Sequence, residues 1–224
     1  MPTVAHFLAS GLSVLSPLLN GTSLGSTAPG MVPQYSLIRH YSTSDCSGTP
    51  EAVIGYAVNQ CFKNSYVPGT YDYRCDGDNI CDTYMYSTAD CSGDGKAKGS
   101  PIINNGKCQF AGVAGYVEAT IKIGGSAVKA ALTGPSQASW HTGDSTCTGA
   151  PSTFEDLGLC RSVGVGSYRL QCSSEKKVEM CQYLNSTTCT GFQRCSVQSG
   201  YNPTDTCITR KHFGGAASVQ FECK

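Results

Sequence analysis

The fourteen cysteines of this 224-residue chain constrain its fold more than any other feature. They are even in number and spread along the chain, and the closest pairs, such as Cys75 and Cys81, are six residues apart. Structural zinc sites instead use cysteines separated by two to four residues. We therefore predict a disulfide framework formed in an oxidising compartment, outside the cell or on its surface, with no metal or other cofactor.

A short motif, Cys-Ser/Thr-Gly, occurs four times and predicts an internal repeat. Its copies begin at Cys46, Cys91, Cys147 and Cys189. Each copy is followed by a loop, a second cysteine and a strand-like run with alternating aromatic residues, as in residues 71–75. We expect an all-β, disulfide-rich, antiparallel sheet protein built from four degenerate repeats of about 45 residues, arranged as a duplicated module of two repeats.

The cysteine pattern of the first half recurs about 100 residues later, which predicts a duplicated chain. We divide it into an N-terminal arm or leader (1–33), a first half (34–133) and a second half (134–224), joined at a turn-rich stretch. The apolar residues 7–19 lack a preceding Lys or Arg, so they are either a disordered or cleaved leader or an arm laid into a neighbouring molecule. No other run is long and apolar enough to predict a membrane span.

The repeat also predicts which cysteines pair, because each motif cysteine can close a loop with the next cysteine in its unit. Polar turns at residues 76–79 and 173–177 predict two tight hairpins, and a longer hairpin is expected over residues 116–131, around Gly124 and Gly125. The expected disulfides are Cys46–Cys61, Cys75–Cys81, Cys91–Cys108, Cys147–Cys160, Cys172–Cys181 and Cys189–Cys207, which leaves Cys195–Cys223.

The charge balance excludes some partners. Sixteen Lys and Arg residues match sixteen Asp and Glu residues, so the chain has no net field that would attract nucleic acid. Only 14% of the residues are charged, and the surface must be rich in Ser, Thr, Asn, Gly and Tyr. Such a surface suits packing against like neighbours or against glycans. Glycosylation sequons begin at Asn20 and at Asn185, the second in a predicted strand.

No pattern in the sequence indicates catalysis, and we expect no enzyme. A G-x-S-x-G nucleophile elbow is absent. Glu155 and Asp156 are neighbours that would face opposite sides of a strand, and we expect both to be solvated. The four histidines lie in unrelated contexts, and His141 is expected to be packed; they are His6, His40, His141 and His212.

Two further groups of side chains have a structural interpretation that competes with a binding one. Asp76, Asp78 and Asn79 carry oxygens that could bind calcium, but these residue types are also typical of hairpin turns, which we favour. Several tyrosines could stack on sugar rings, but they recur in phase with the repeat, which favours packing. They include Tyr84, Tyr86, Tyr183 and Tyr201.

The two ends of the repeat do not match. The repeat begins in a strand over residues 35–41 and ends in a strand over residues 218–223, and each should lack its hairpin partner. An unpaired edge favours association. The two strands therefore either pair with each other and close one molecule, or pair between molecules and form a homo-oligomer or polymer.

The motif over residues 41–48 and 86–93 resembles that of cysteine-rich, repeat-containing surface or extracellular proteins of unicellular eukaryotes. The resemblance implies a secreted, disulfide-bonded character. We hypothesise an extracellular structural protein, the subunit of a filament, coat or wall assembled by strand pairing between molecules. The alternative is a secreted carbohydrate-binding, lectin-like module, and a secreted hydrolase is the third hypothesis.

Overall fold

Three antiparallel sheets and one short α-helix make up the described part of the chain. The computed structural model describes residues 32–63, 70–88, 90–98, 100–112, 115–142, 146–212 and 215–224. His6, Asn20 and nearly all of the arm over residues 1–33 lie outside this part. The prediction of a mostly β, antiparallel, disulfide-rich chain is confirmed. No helix in the described residues is both long enough and apolar enough to cross a bilayer.

The largest sheet has eight strands and takes four strands from each half of the chain. Its order is β16-β17-β10-β11-β2-β1-β9-β8. The strands are β1 (Gln34–Tyr41), β2 (Ala52–Ala57), β8 (Asn105–Phe110), β9 (Tyr116–Ile123), β10 (Ser136–Thr142), β11 (Thr153–Asp156), β16 (Cys207–His212) and β17 (Gly215–Cys223).

Each half also contributes one smaller sheet. In the first half the order is β3-β4-β5-β6, with β7 paired to the other end of β5; in the second half it is β12-β13-β14-β15. The strands are β3 (Phe62–Lys63), β4 (Thr70–Cys75), β5 (Ile80–Tyr86), β6 (Lys96–Ala97), β7 (Ile102–Ile103), β12 (Arg161–Val163), β13 (Gly166–Cys172), β14 (Val178–Tyr183) and β15 (Arg194–Val197).

The first and last strands of the chain are not sheet edges. The first strand, β1, lies between β2 and β9, and the last, β17, lies between β16 and β10. The prediction of unpaired terminal strands was therefore wrong. The two pairings expected from it, between the terminal strands of one molecule and between those of different molecules, were wrong as well. The reason is that each half places strands from its beginning and its end side by side in the large sheet, so each terminal strand gains two neighbours.

The two halves have the same arrangement. The Val58 N–H donates to the Gln34 carbonyl, and the Leu157 N–H donates to the Ser136 carbonyl, each at 2.9 Å. The Thr70 hydroxyl contacts the backbone of both Thr88 and Cys91, and the Ser167 hydroxyl makes the same contacts with Ser186 and Cys189. The strand order of the large sheet is correspondingly symmetrical about the boundary between β2 and β11.

The motif loop recurs four times, whereas the strand order repeats twice. All four motif cysteines have a left-handed backbone, with φ between 53° at Cys189 and 57° at Cys91. This conformation is uncommon for residues other than glycine, so the loop is a genuine local repeat. An architecture of four equal repeats does not follow from it, because the large sheet groups the strands by halves.

A helix, α1 (Gly125–Ala131), stands where a hairpin was expected around Gly124 and Gly125, so that prediction was wrong. The segment is rich in alanine, which favours a helix. The Lys224 ammonium donates to the carbonyls of Lys129 and Leu132 at the end of the helix and satisfies them.

The helix packs closely on the large sheet, and both faces of the central strands are buried. Val128 of α1 lies over Gly55 of β2, where a Cβ atom would be 2.7 Å from the Val128 Cγ1. Every residue of β2 and β11 is buried. Glycine at position 55 therefore allows the helix to approach the sheet.

Buried tyrosines predict loss of stability at high pH. Burial raises the pKa of Tyr35 and Tyr73 to about 12, and the pKa of Tyr56 and Tyr71 is also raised by burial. The tyrosine hydroxyls of the unfolded chain ionise near pH 10, whereas the buried ones ionise only near pH 12. The free energy of unfolding should therefore stay level below pH 10 and fall between pH 10 and 12. Denaturant titrations across this range, followed by circular dichroism and phenolate absorbance, check this. A level free energy up to pH 12 would contradict it.

Candidate association surface

All fourteen cysteines form disulfides, as predicted, but most of the predicted pairings were wrong. The Cys75–Cys81 pairing is confirmed. The template joined cysteines that are close in sequence, whereas the fold joins cysteines on segments that are close in space. The observed disulfides are Cys46–Cys108, Cys61–Cys91, Cys75–Cys81, Cys147–Cys207, Cys160–Cys189, Cys172–Cys223 and Cys181–Cys195.

Two disulfides of each half are equivalent, and the others differ for a simple reason. The equivalent pairs span 62 and 60 residues, and 30 and 29 residues. In the second half Cys172 bonds to Cys223 of β17. In the first half Ile123 stands at the position of Cys223, so Cys75 bonds instead to Cys81, its neighbour across the hairpin.

Four of the residues considered for catalysis are buried in strands of the large sheet. His40 and His141 are buried in β1 and β10, as expected for His141. Glu155 and Asp156 are buried, so the prediction that they are solvated was wrong, because β11 is a central strand. Glu155 binds Arg161 at 2.6 Å, and Asp156 accepts the Gly134 N–H at 2.7 Å.

The tyrosines that could have bound sugars are mostly packed. Tyr86 and Tyr183 are buried, and their hydroxyls donate to Asp72 and Gln193. The Tyr201 ring packs 4.5 Å from that of Phe221. Packing was the favoured interpretation of these three tyrosines and is confirmed. Tyr84 is half-buried, and the Arg74 guanidinium lies 5.5 Å from its ring centroid.

The acidic turn over residues 76–79 is a hairpin turn, as favoured. The Asp76 carboxylate accepts the N–H groups of Asp78 and Ile80, and Asn79 has a φ of 60°. Elsewhere in the described ranges, Glu179, Cys181 and Cys195 bring three potential metal ligands together. The two sulfurs are bonded to each other, so neither is a thiolate that could bind a metal.

Most of the large apolar side chains left exposed in the described residues lie on the smaller sheet of the second half. They are divided between two edges, because β12 and β15 are the first and last strands of this sheet. Leu184, Phe192 and Val197 lie on the β14–β15 side, and we call these three residues the β15 surface; Val163 and Val165 lie in β12 and the turn after it, at the opposite edge.

Strand β15 is an exposed edge with backbone groups that face outward. All four of its residues are exposed. The Gln198 N–H donates to the Val178 carbonyl, so residue 198, and by alternation residues 194 and 196, face β14. The N–H and C=O groups of Gln193, Cys195 and Val197 consequently point away from the sheet. The Cys181–Cys195 disulfide holds this edge in place.

Three other sheet edges, β6, β8 and β16, carry more protection than β15. Aligning Cys91 with Cys189 places Asp94, Lys96 and Lys98 of the first half at the positions of Phe192, Arg194 and Ser196. The edge β8 contains Lys107 and a bulge, and β16 contains two adjacent basic residues at positions 210 and 211. Charges and bulges are the features that keep sheet edges from pairing. Strand β15 carries one charge and is flanked by Phe192, which is 84% exposed.

The sequon at Asn185 lies beside the β15 surface. Asn185 is exposed and follows β14 in a turn, so its predicted place in a strand was wrong. Leu184, the residue before it, belongs to the β15 surface. A glycan on Asn185 would leave the chain at the same end of the sheet as Phe192.

No protein-family model, curated protein sequence or solved structure matches this chain.

Proposed function

We propose that the protein is an extracellular structural subunit of a coat or wall that associates with copies of itself through an exposed sheet edge. The observation that carries the proposal is β15, whose outward backbone groups are accessible, whose last residue Val197 is 51% exposed and whose neighbour Phe192 is 84% exposed. An accessible edge with little charge and apolar neighbours is a template for strand pairing. The pairing element is thus β15 and not a terminal strand.

The use of the polar residues also supports a structural role. Two residues that could serve catalysis, Glu155 and Asp156, accept hydrogen bonds from Arg161 and from the Gly134 N–H inside the fold. Seven disulfides lock both halves, which suits a protein that persists outside the cell, where proteases and changing conditions act on it. A lectin-like function is weakened because Tyr86, Tyr183 and Tyr201 are occupied in packing.

The proposal predicts self-association of the purified, non-reduced protein. Sedimentation velocity over a concentration series should show larger species as the concentration rises, and electron microscopy should show ordered assemblies at the highest concentration. Because β15 pairing depends on backbone hydrogen bonds and apolar contact, raising the salt concentration should not separate molecules that pair through β15. A protein that stays monomeric and binds a defined glycan on an array would contradict the proposal and support the lectin-like alternative.

A further inference from the structure

We infer that β15 pairs with β15 of a second copy, antiparallel, about a two-fold axis beside Cys195. The inference rests on the proposed function and names its partner and geometry. In this register the outward groups of Cys195 meet those of Cys195 in the second copy, and Gln193 meets Val197. Each outward N–H then finds a carbonyl, because residues that face outward on one strand oppose outward-facing residues on the other.

The charge pattern favours β15 itself over β6, β8 and β16 as the partner. In the two-fold register Arg194 lies opposite Ser196 of the second copy, so no like charges oppose each other. Pairing with β6 would instead bring Arg194 toward an edge that carries Lys96 and Lys98, and β8 and β16 are also basic. Like charges directly opposite each other destabilise a pair of strands.

The exposed apolar side chains gain cover in the same register. Val197 lies opposite Gln193 of the second copy, and Phe192 lies opposite Gln198. Each apolar side chain therefore contacts the aliphatic part of a glutamine, and this contact removes apolar surface from water. Phe192 and Val197 are largely exposed in the single chain, so their burial favours the pair.

A two-fold contact uses the same edge of both molecules and closes on itself. The product is a dimer whose small sheets join into one eight-stranded sheet. A coat or wall would therefore be built from dimers, with a different surface making the next contact.

Two substitutions in the full-length chain test the pairing. Val197→Pro removes an outward N–H and no bond of the ladder to β14, and Phe192→Asp installs the side chain that the first half has at this position. Each should raise the dimer dissociation constant at least tenfold in sedimentation equilibrium. The matched controls are Ala97→Pro, at an outward position of β6, and Phe110→Asp, at an exposed phenylalanine on β8. Neither control should change the dissociation constant.

The outcomes separate this inference from the proposed function. If the wild-type protein associates and the β15 variants associate as tightly as the controls, β15 pairing is wrong here and in the proposed function, and only self-association of a structural subunit stands. If the wild-type protein never associates, both fail. Thermal unfolding of every variant, with disulfides intact, confirms that a loss of association is not a loss of fold.

Cross-linking identifies the occupant of the edge. A photoreactive phenylalanine analogue at position 192, in a mixture of light and heavy isotope-labelled full-length chains, should link to residues 193–198 of the other copy. A link to residues 7–19 instead would show that the apolar arm occupies the edge and would overturn the inference.

Discussion

Replacing Cys46 and Cys108 together with serine should lower the free energy of unfolding by about 4 kcal/mol. Their disulfide closes a stretch of 62 residues, and in the loop-entropy description the loss grows with the logarithm of that length. Replacing Cys75 and Cys81, which are 6 residues apart, should cost about 2 kcal/mol. Guanidinium unfolding followed by circular dichroism measures both.

The duplication provides a control for the disulfide prediction. Cys147 and Cys207 close an equivalent stretch of 60 residues, and their replacement should cost as much as that of Cys46 and Cys108. A larger loss for the Cys75–Cys81 pair than for either long-range pair would contradict the prediction. It would indicate that native contacts around the hairpin disulfide, rather than constraint of the unfolded chain, set its contribution.

Arg161→Met should lower the free energy of unfolding by about 3 kcal/mol, because it leaves the Glu155 carboxylate without its ion partner in a largely buried site. Arg161 and Glu155 are 2.6 Å apart, with side chains 21% and 10% exposed. Burial alone would lower the pKa of Arg161, but Glu155 and Tyr168 raise it above its ordinary value. Denaturant unfolding at neutral pH measures the loss.

The exposed pair Lys177 and Glu175 is the matched control for this substitution. Lys177→Met removes an ion pair of the same kind at 2.5 Å, but both side chains are at least half exposed. Exposed pairs contribute little to stability, so the variant should unfold almost like the wild-type protein. If Arg161→Met and Lys177→Met lowered the free energy of unfolding equally, burial of the Glu155–Arg161 pair would make no difference to its contribution to stability.

Part of the candidate surface could have been found from the aligned halves. Aligning Phe192 with Asp94 and Ser196 with Lys98 shows that the second half is uncharged at two positions where the first half is charged. The alignment could not show that these residues lie on a sheet edge. Phe192 is exposed because β15 is the last strand of its sheet in the described residues. The position of β15 in the sheet depends on the strand order, which the alignment does not give.

Local patterns in the sequence determined several features of this protein. Alternating apolar residues and turn residues predicted the β class and the turn at residues 76–79, and the cysteine content predicted complete oxidation. These features depend on neighbours within a few residues, where backbone preference and side-chain alternation act directly.

Tertiary structure alone decided how the cysteines other than Cys75 and Cys81 pair, why both terminal strands are internal, and which sheet edge is exposed. Cys46 bonds to Cys108, and not to Cys61, because β9 lies beside β1 in the large sheet and β8 lies beside β9. Such contacts join residues far apart along the chain, and any one of several strand orders would satisfy the same local patterns. The order is selected by burial of both faces of β2 and β11, which is a property of the assembled halves and of no single segment.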